Sequence, residues 1–345
     1  MTQSNPVKVN VAVVGLGFMG VTHLRAHLEN PAARIVAVCD AVRVPVNGVL
    51  AGVAGNIKKS DDIDLGAGVK VYRKLEQLLA DPDVQLVDLC TPTPLHPEQA
   101  IAVLKAGKHC ICEKPLARTA ASAQEILQVA KTSPGYLMPA MCMRFWPGWA
   151  ELKEIVSAQT YGKVQAARFR RVSEMPAWSK AGTYSAGNDL GGALYDLHIH
   201  DTDFVNFLFG RPASVFATGV SGANSSVVHV VTQYHYADGP AVYAEGSWLL
   251  KSGFNMAFTV HCERATLDFD LTRGADALMI SEEGQGTRVV KLASGDGYTG
   301  ELRYFVDCVA NRRPPQTVTG LDGLTALEIC EAEEKSIRTG QVVKL

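Results

Sequence analysis

The first 140 residues carry short apolar runs at regular intervals. Val11 to Val14, Arg34 to Cys39, Val69 to Tyr72, Val84 to Cys90, Lys108 to Cys112 and Tyr136 to Met143 are rich in β-branched or apolar residues. Most are continuous rather than alternating, as expected of strands buried on both faces of a parallel sheet. Helical patterns fill the gaps: the stretch after Gly20, Lys74 to Leu79, Pro97 to Ala106 with Gly107 as its stop, and the Ala-rich Arg118 to Lys131. Repeated βα units predict a doubly wound parallel α/β sheet. Val44 to Gly68 is long for a connection, and a short helix with a loop is expected there.

Beyond Arg144 the pattern changes. Helical periodicity covers Pro147 to Ala158 and Gly192 to Phe209, the latter closed by Gly210. Strands then follow one another: Val164 to Val172 early, and later Ala213 to Val220, Val227 to Tyr236, Ala241 to Leu250, Phe254 to Cys262, Ala265 to Leu271, Ala277 to Ser281 and Arg288 to Leu292. Asp238-Gly239 is a hairpin signal. Helices at Gly300 to Asn311 and Asp322 to Thr339 and a strand at Val342 to Leu345 finish the chain. The pattern predicts a second, α+β domain with a mostly antiparallel sheet. The expected division is 1–133 and 134–345, with the terminal helix and strand as candidates to pack back on the first domain.

Length agrees with two domains, at 345 residues. Apolar residues make up 47% and charged residues 20%, enough for a large core. The net charge of −2 argues against a nucleic-acid partner. No apolar run is long enough for a membrane span, and Met1 to Asn10 lacks a signal-peptide core, so a cytoplasmic protein is expected. Cys39, Cys90 and Cys142 sit in apolar runs, as buried reduced thiols do. Cys110 and Cys112 flank no second ligand pair at zinc-site spacing, so no metal is expected.

Candidate chemistry begins at Gly15. It ends the first strand, and Gly17 and Gly20 complete a G-x-G-x-x-G turn into a helix. Gly15 allows a sharp turn, Gly17 a close approach to a pyrophosphate, and Gly20 close helix–strand packing. The helix N-terminus, with Phe18 and Met19 in its first turn, would hold the phosphate charge. Asp40, ending the second strand twenty positions after Gly20, suits a ribose 2′-hydroxyl and would repel a 2′-phosphate. NAD is therefore expected over NADP, with Arg43 as a possible counterweight. Ligands of open α/β sheets bind beyond the strands' carboxyl ends. Thr91 to His96 and Glu113-Lys114-Pro115 lie at such ends. Lys114 is either a surface lysine or a group that exchanges a proton with a substrate hydroxyl.

Gly191 to Phe204 is the second constellation. On a helix, Asp196 and His200 share a face at i, i+4, where the carboxylate can orient a histidine base. His198 then points elsewhere. On a strand, His198 and His200 would share a face with Asp196 and could bind metal. The pattern through Phe204, Phe207 and Leu208 favours the helix, where a core or capping histidine is the plainer alternative.

The glycine turn with Asp40, CTPTPLH (Cys90 to His96), AGKHCICEKP (Ala106 to Pro115) and GGALYDLHIHDTD (Gly191 to Asp203) together resemble the Gfo/Idh/MocA oxidoreductases. The similarity spans nearly the whole chain. It implies a Rossmann domain, a C-terminal open-faced sheet used for oligomerisation, and NAD(P) as cofactor. It implies Lys114 as catalytic lysine, His200 as proton acceptor and Asp196 as its partner. Thr91, Pro92, His96 and Glu113 match positions near the nicotinamide and its ribose, and Arg144 and Trp178 resemble pocket residues. His198 stands where many relatives have Gly, which would make the substrate pocket more polar. The implied activity is hydride transfer between a secondary hydroxyl of a sugar, cyclitol or related polyol and NAD, by a homodimer or homotetramer. The rivals are an NAD-dependent glycosidase that retains its cofactor and a non-enzymatic dinucleotide-binding regulator. A metal hydrolase using His198 and His200 is more distant.

Overall fold

The structure is a computed structural model and describes residues 8–53, 61–66, 68–176, 191–222 and 225–345. The chain divides into two compact units. The first comprises Met1–Ala117, Ala121–Cys142 and Gly297–Leu324; the second comprises Arg118–Ala120, Met143–Asp296 and Thr325–Leu345.

In the first unit, β1 (Val9–Val14), β2 (Ala33–Cys39), β5 (Lys70–Tyr72), β6 (Leu86–Leu89), β7 (His109–Glu113) and β8 (Leu137–Ala140) form one six-stranded sheet. Every pairing in it is parallel. The spatial order β5-β2-β1-β6-β7-β8 is the doubly wound order, third-second-first-fourth-fifth-sixth by parallel strand. Strand order reverses between β1 and β6, which puts the glycine turn beside the Thr91 loop. Helices α1 (Phe18–Leu28), α2 (Leu75–Leu79), α3 (His96–Lys105) and α4 (Ala120–Ala130) occupy the crossovers, and α7 (Gly297–Ala310) belongs to the same unit, except that the start of α4 falls in the second. The division after residue 133 needs correction, because β8 is hydrogen-bonded to β7 as the sixth strand of this sheet.

The expected short helix within Val44 to Gly68 also needs correction for its described part. There, β3 (Val49–Leu50) pairs antiparallel with β4 (Ile63–Asp64) as a two-stranded ribbon. A ladder of two residue pairs leaves no readable periodicity.

The second unit is built on an eight-stranded sheet. Its strands are β9 (Val164–Glu174), β10 (Ser214–Ser221), β11 (Val227–His235), β12 (Ala241–Cys262), β13 (Ala265–Asp270), β14 (Leu278–Glu282), β15 (Gly286–Val290) and β16 (Val343–Lys344). The two strands expected at 241–250 and 254–262 are halves of the long β12, and β9 pairs with both halves. The last strand, β16, pairs with β10 of this sheet and does not return to the first unit. Helices α5 (Trp149–Ser157) and α6 (Ile199–Phe209) belong to this unit, whereas α8 (Gly320–Thr339) is divided between the two. Its core centres on fully buried Trp149, with the rings of Phe204, Phe258, Phe169 and Phe269 at 4.8, 5.3, 5.8 and 6.3 Å. Aromatic pairs at such distances contribute beyond the area they bury.

Candidate active site

Gly15 adopts φ +86°, and a Cβ there would lie 2.7 Å from the Cys90 carbonyl oxygen. Gly20 is tighter: its Cβ would lie 1.7 Å from the Gly15 carbonyl oxygen. Both glycines are demanded by the chain itself. Gly17 is exposed, and a Cβ on it would meet nothing within 4 Å. The chain's own packing does not require glycine there, and an open backbone at this position leaves room for close approach. Helix α1 starts at Gly17 with no side-chain cap and no acid in its first turn, and Phe18 and Met19 are half-buried. An uncapped helix N-terminus favours an anion.

Asp40 closes this turn from below. One carboxylate oxygen accepts from the Leu16 N–H at 2.7 Å, the other from the Val42 and Arg43 N–H groups at 2.8 Å each. The Arg43 guanidinium donates to the Leu16 and Ala51 carbonyls. Asp40 therefore shapes the turn as well as presenting charge to it.

The Thr91 and Lys114 loops are tied together. His96 is buried, with Nδ1 2.8 Å from the Pro115 carbonyl and Nε2 2.7 Å from the Thr91 carbonyl. Burial outweighs both carbonyls and lowers its pKa, so the ring is neutral near pH 7 and donates to one of them. His96 thus braces two loops. Thr91 Oγ1 donates to Gln99 at 2.6 Å, and exposed Pro92 leads into the turn Thr93–Leu95. Glu113 is buried, and its Oε2 accepts the Lys114 N–H at 3.0 Å. Lys114 is half-buried, and the Lys114–Pro115 bond is cis.

In the second unit, a wide π-helical turn, Leu194–His198, leads into α6. Such turns concentrate at functional sites. Every residue from Gly191 to Asp203 is buried except Asp196 and His200, which are half-buried. The buried polar members are anchored. Asp201 accepts from Arg171 at 2.9 and 3.2 Å, and Asp203 from Arg144 at 2.9 and 2.5 Å. Thr202 Oγ1 lies 3.0 Å from the Tyr234 hydroxyl and 3.2 Å from Glu333. The segment is thus held on its buried sides, with Asp196 and His200 as the titratable groups it presents.

Two of the expected site residues lie in the packed interior. His198 is fully buried and its Nε2 lies 3.3 Å from Thr232 Oγ1 and from the Tyr234 hydroxyl, and 3.5 Å from Glu333. It packs onto Gly246 of β12, where a Cβ would come within 2.6 Å of its own. Arg144 is likewise buried, its guanidinium paired with Asp203 and stacked 4.4 Å from the Phe207 ring. Trp178 lies outside the described residues.

Sequence reasoning passed over His23 and Asp88, both fully buried. A charged residue inside the apolar run Leu86–Leu89 was the available signal, as was the His23, His27 pair at i, i+4 of α1. Asp88 accepts from His23 Nδ1 at 3.0 Å and from His27 Nε2 at 2.9 Å. Burial alone would lower the His23 pKa, but the Asp88 carboxylate overrides it and holds the group well above its ordinary value. Asp88 is correspondingly pushed below the carboxylate range by His23 and His27, against its burial.

Residues 9–140 match a family model described as an oxidoreductase family with an NAD-binding Rossmann fold, and residues 149–268 match a GFO/IDH/MocA C-terminal domain. Myo-inositol 2-dehydrogenase of Thermotoga maritima is 27% identical, with 98% of each chain covered. The scyllo-inositol 2-dehydrogenase (NAD(+)) of Bacillus subtilis is 26% identical over 98% of this chain and 96% of its own. A levoglucosan dehydrogenase in complex with NADH and levoglucosan has the same fold, with TM-score 0.80 at 23% identity over 98% and 99% of the two chains. Among the described residues no helix is long and apolar enough to cross a membrane.

Proposed function

We propose, from the premise that the chain belongs to the GFO/IDH/MocA oxidoreductase family, that it transfers hydride between a secondary hydroxyl of a cyclic polyol or sugar and NAD. The observation that carries this reading is the anchored segment in which only Asp196 and His200 escape burial. Bound NAD supplies the hydride acceptor; the protein's own residues position the substrate and handle its proton. His200 takes the hydroxyl proton, Asp196 orients the imidazole, and Lys114 holds the hydroxyl oxygen. Relatives named for inositol oxidation match end to end, which supports a cyclitol or similar polyol as substrate class. The test is a panel of inositols, aldoses and anhydrosugars read by NADH absorbance. NADH should accumulate with at least one cyclic polyol. Product formed with no net NADH would point instead to a glycosidase that retains its cofactor.

Gly17, Phe18, Met19 and the α1 N-terminus are assigned to the pyrophosphate and Asp40 to the ribose. Gly17→Ala should leave thermal stability unchanged and weaken NADH binding in a fluorescence titration. Gly20→Ala should lower stability and binding together, because its Cβ collides with the Gly15 carbonyl. If Gly17→Ala bound NADH normally, the pyrophosphate would lie elsewhere.

NAD should bind at least about tenfold more tightly than NADP, a gap of about 1.4 kcal/mol. The 2′-phosphate would face the Asp40 carboxylate, while Arg43 is engaged by two carbonyls. Equal dissociation constants would sink the assignment. Asp40→Asn should narrow the gap and weaken both, because Asp40 also holds three backbone N–H groups.

A homodimer or homotetramer is part of the same proposal. The second sheet leaves Phe216, Val220, Tyr243 and Leu249 exposed on β10 and β12. Apolar residues so placed favour a protein interface. Sedimentation velocity at micromolar concentration should show no major monomer.

A further inference from the structure

Buried charge in the first unit is concentrated around one ring. His23 of α1 is fully enclosed. Asp88 and Cys90 face its Nδ1, at 3.0 and 3.3 Å. Glu113 of β7 faces its Nε2 as an ion pair at 3.0 Å, and Glu301 of α7 lies 3.9 Å from the same atom. The Tyr298 ring, also on α7, is 6.2 Å away, and His27 stands behind Asp88 at 2.9 Å. Three carboxyl groups therefore converge on one fully buried ring. The fully buried Asp88 carboxylate persists as an anion only with a compensating positive charge. A singly protonated ring donating to Asp88 would present a lone pair to Glu113 and Glu301. A doubly protonated ring hydrogen-bonds Asp88 through Nδ1 and places positive charge 3.0 Å from Glu113 through Nε2.

The far end of this cluster is the Lys114 loop. Glu113 uses one carboxylate oxygen for His23 and the other for the Lys114 backbone N–H at 3.0 Å. Asp88, His23, Glu113 and the Lys114 backbone thus form one continuous series of polar contacts.

We propose that His23 is a positioning residue: as an imidazolium locked between Asp88 and Glu113, it fixes the Glu113 carboxylate and through it the backbone from which Lys114 presents its amine. The inference rests on the reading that Lys114 handles the substrate hydroxyl. The raised His23 pKa agrees with it. Linkage sets the sign of its pH dependence. A histidine raised in the folded state contributes its full stability below the unfolded value of about 6.5 and loses it as pH rises through the folded value. Displacing a reacting group by an ångström can cost about a hundredfold in rate.

Two measurements test this. In protein labelled with 15N-histidine, the ring nitrogens of His23 should both be protonated at about pH 8, above the ordinary histidine value of about 6.5. His23→Gln alone leaves the buried Asp88 carboxylate without its His23 partner and can unfold the domain. The companion is therefore His23→Gln with Asp88→Asn, which removes one charge of each sign. That variant should bind NADH as the natural chain does and turn over the best substrate of the polyol panel about ten- to hundred-fold more slowly, with KM little changed. A neutral His23 ring at about pH 8, one equivalent of zinc in the purified protein, or natural kcat in the folded double variant would each overturn the proposal. If no polyol in the panel is oxidised, the dehydrogenase reading fails, and the 15N spectrum still decides whether His23 carries the charge.

Discussion

Lys114→Ala should lower turnover by about a hundred- to ten-thousand-fold, the range expected when a positioned proton-handling group is removed. NADH affinity should stay near that of the natural chain, since the glycine turn, the α1 N-terminus and Asp40 are untouched. His200→Ala should give a loss of the same order and Asp196→Asn a smaller one. The combined variant should be little worse than the worst single change, because the three residues act on one proton as a unit. His198→Gly is the contrast. His198 is fully buried against Thr232, Tyr234 and Glu333, so its loss should lower the unfolding midpoint and leave kcat of the folded enzyme close to natural. Single-turnover absorbance with the polyol identified by the panel reads the turnover of all five variants. If His198→Gly abolished turnover while His200→Ala was tolerated, the base would be misassigned.

What the sequence made legible follows a physical rule. Strands of the first sheet were readable because burial on both faces leaves continuous apolar runs such as Val11 to Val14. The glycine turn was readable because the positive φ of Gly15 and the close approach of Gly20 to the Gly15 carbonyl are demands local to the turn. The helical period over 191–204 was readable, although nothing in the sequence marked the π turn that holds Asp196. Long-range pairing was not readable. His23 meets Asp88 across 65 positions, and Arg144 meets Asp203 across 59. At sequence level a buried arginine and a ligand-binding one are the same letter. His198 shows the same limit: the helical period sent it away from Asp196 and His200, but only the sheet beneath reveals Thr232 and Gly246 as its surroundings.

Arg144 supplies the second large effect. Its guanidinium and the Asp203 carboxylate are 2% and 1% exposed, so removing either leaves a buried charge without its partner. Arg144→Ala and Asp203→Ala should each destabilise the second unit by about 3–5 kcal/mol, as broken buried pairs do. Replacing both by apolar residues of similar volume, Arg144→Met with Asp203→Leu, should recover most of that loss, because the desolvation penalty of both charges disappears together. Denaturant unfolding of the natural chain, Arg144→Met, Asp203→Leu and the double variant gives the coupling directly as a double-mutant cycle. A second readout separates anchoring from ligand binding: the double apolar variant should bind NADH as the natural chain does. Loss of NADH binding in that folded variant, with Arg144→Ala as stable as the natural protein, would return Arg144 to the cofactor pocket. The structural expectation is the opposite, because Asp201 and Asp203 follow His200 on α6 and their pairs with Arg171 and Arg144 hold that helix on its buried side. Weakening that anchor should lower kcat more than it raises KM, since a looser α6 misplaces the base without removing it.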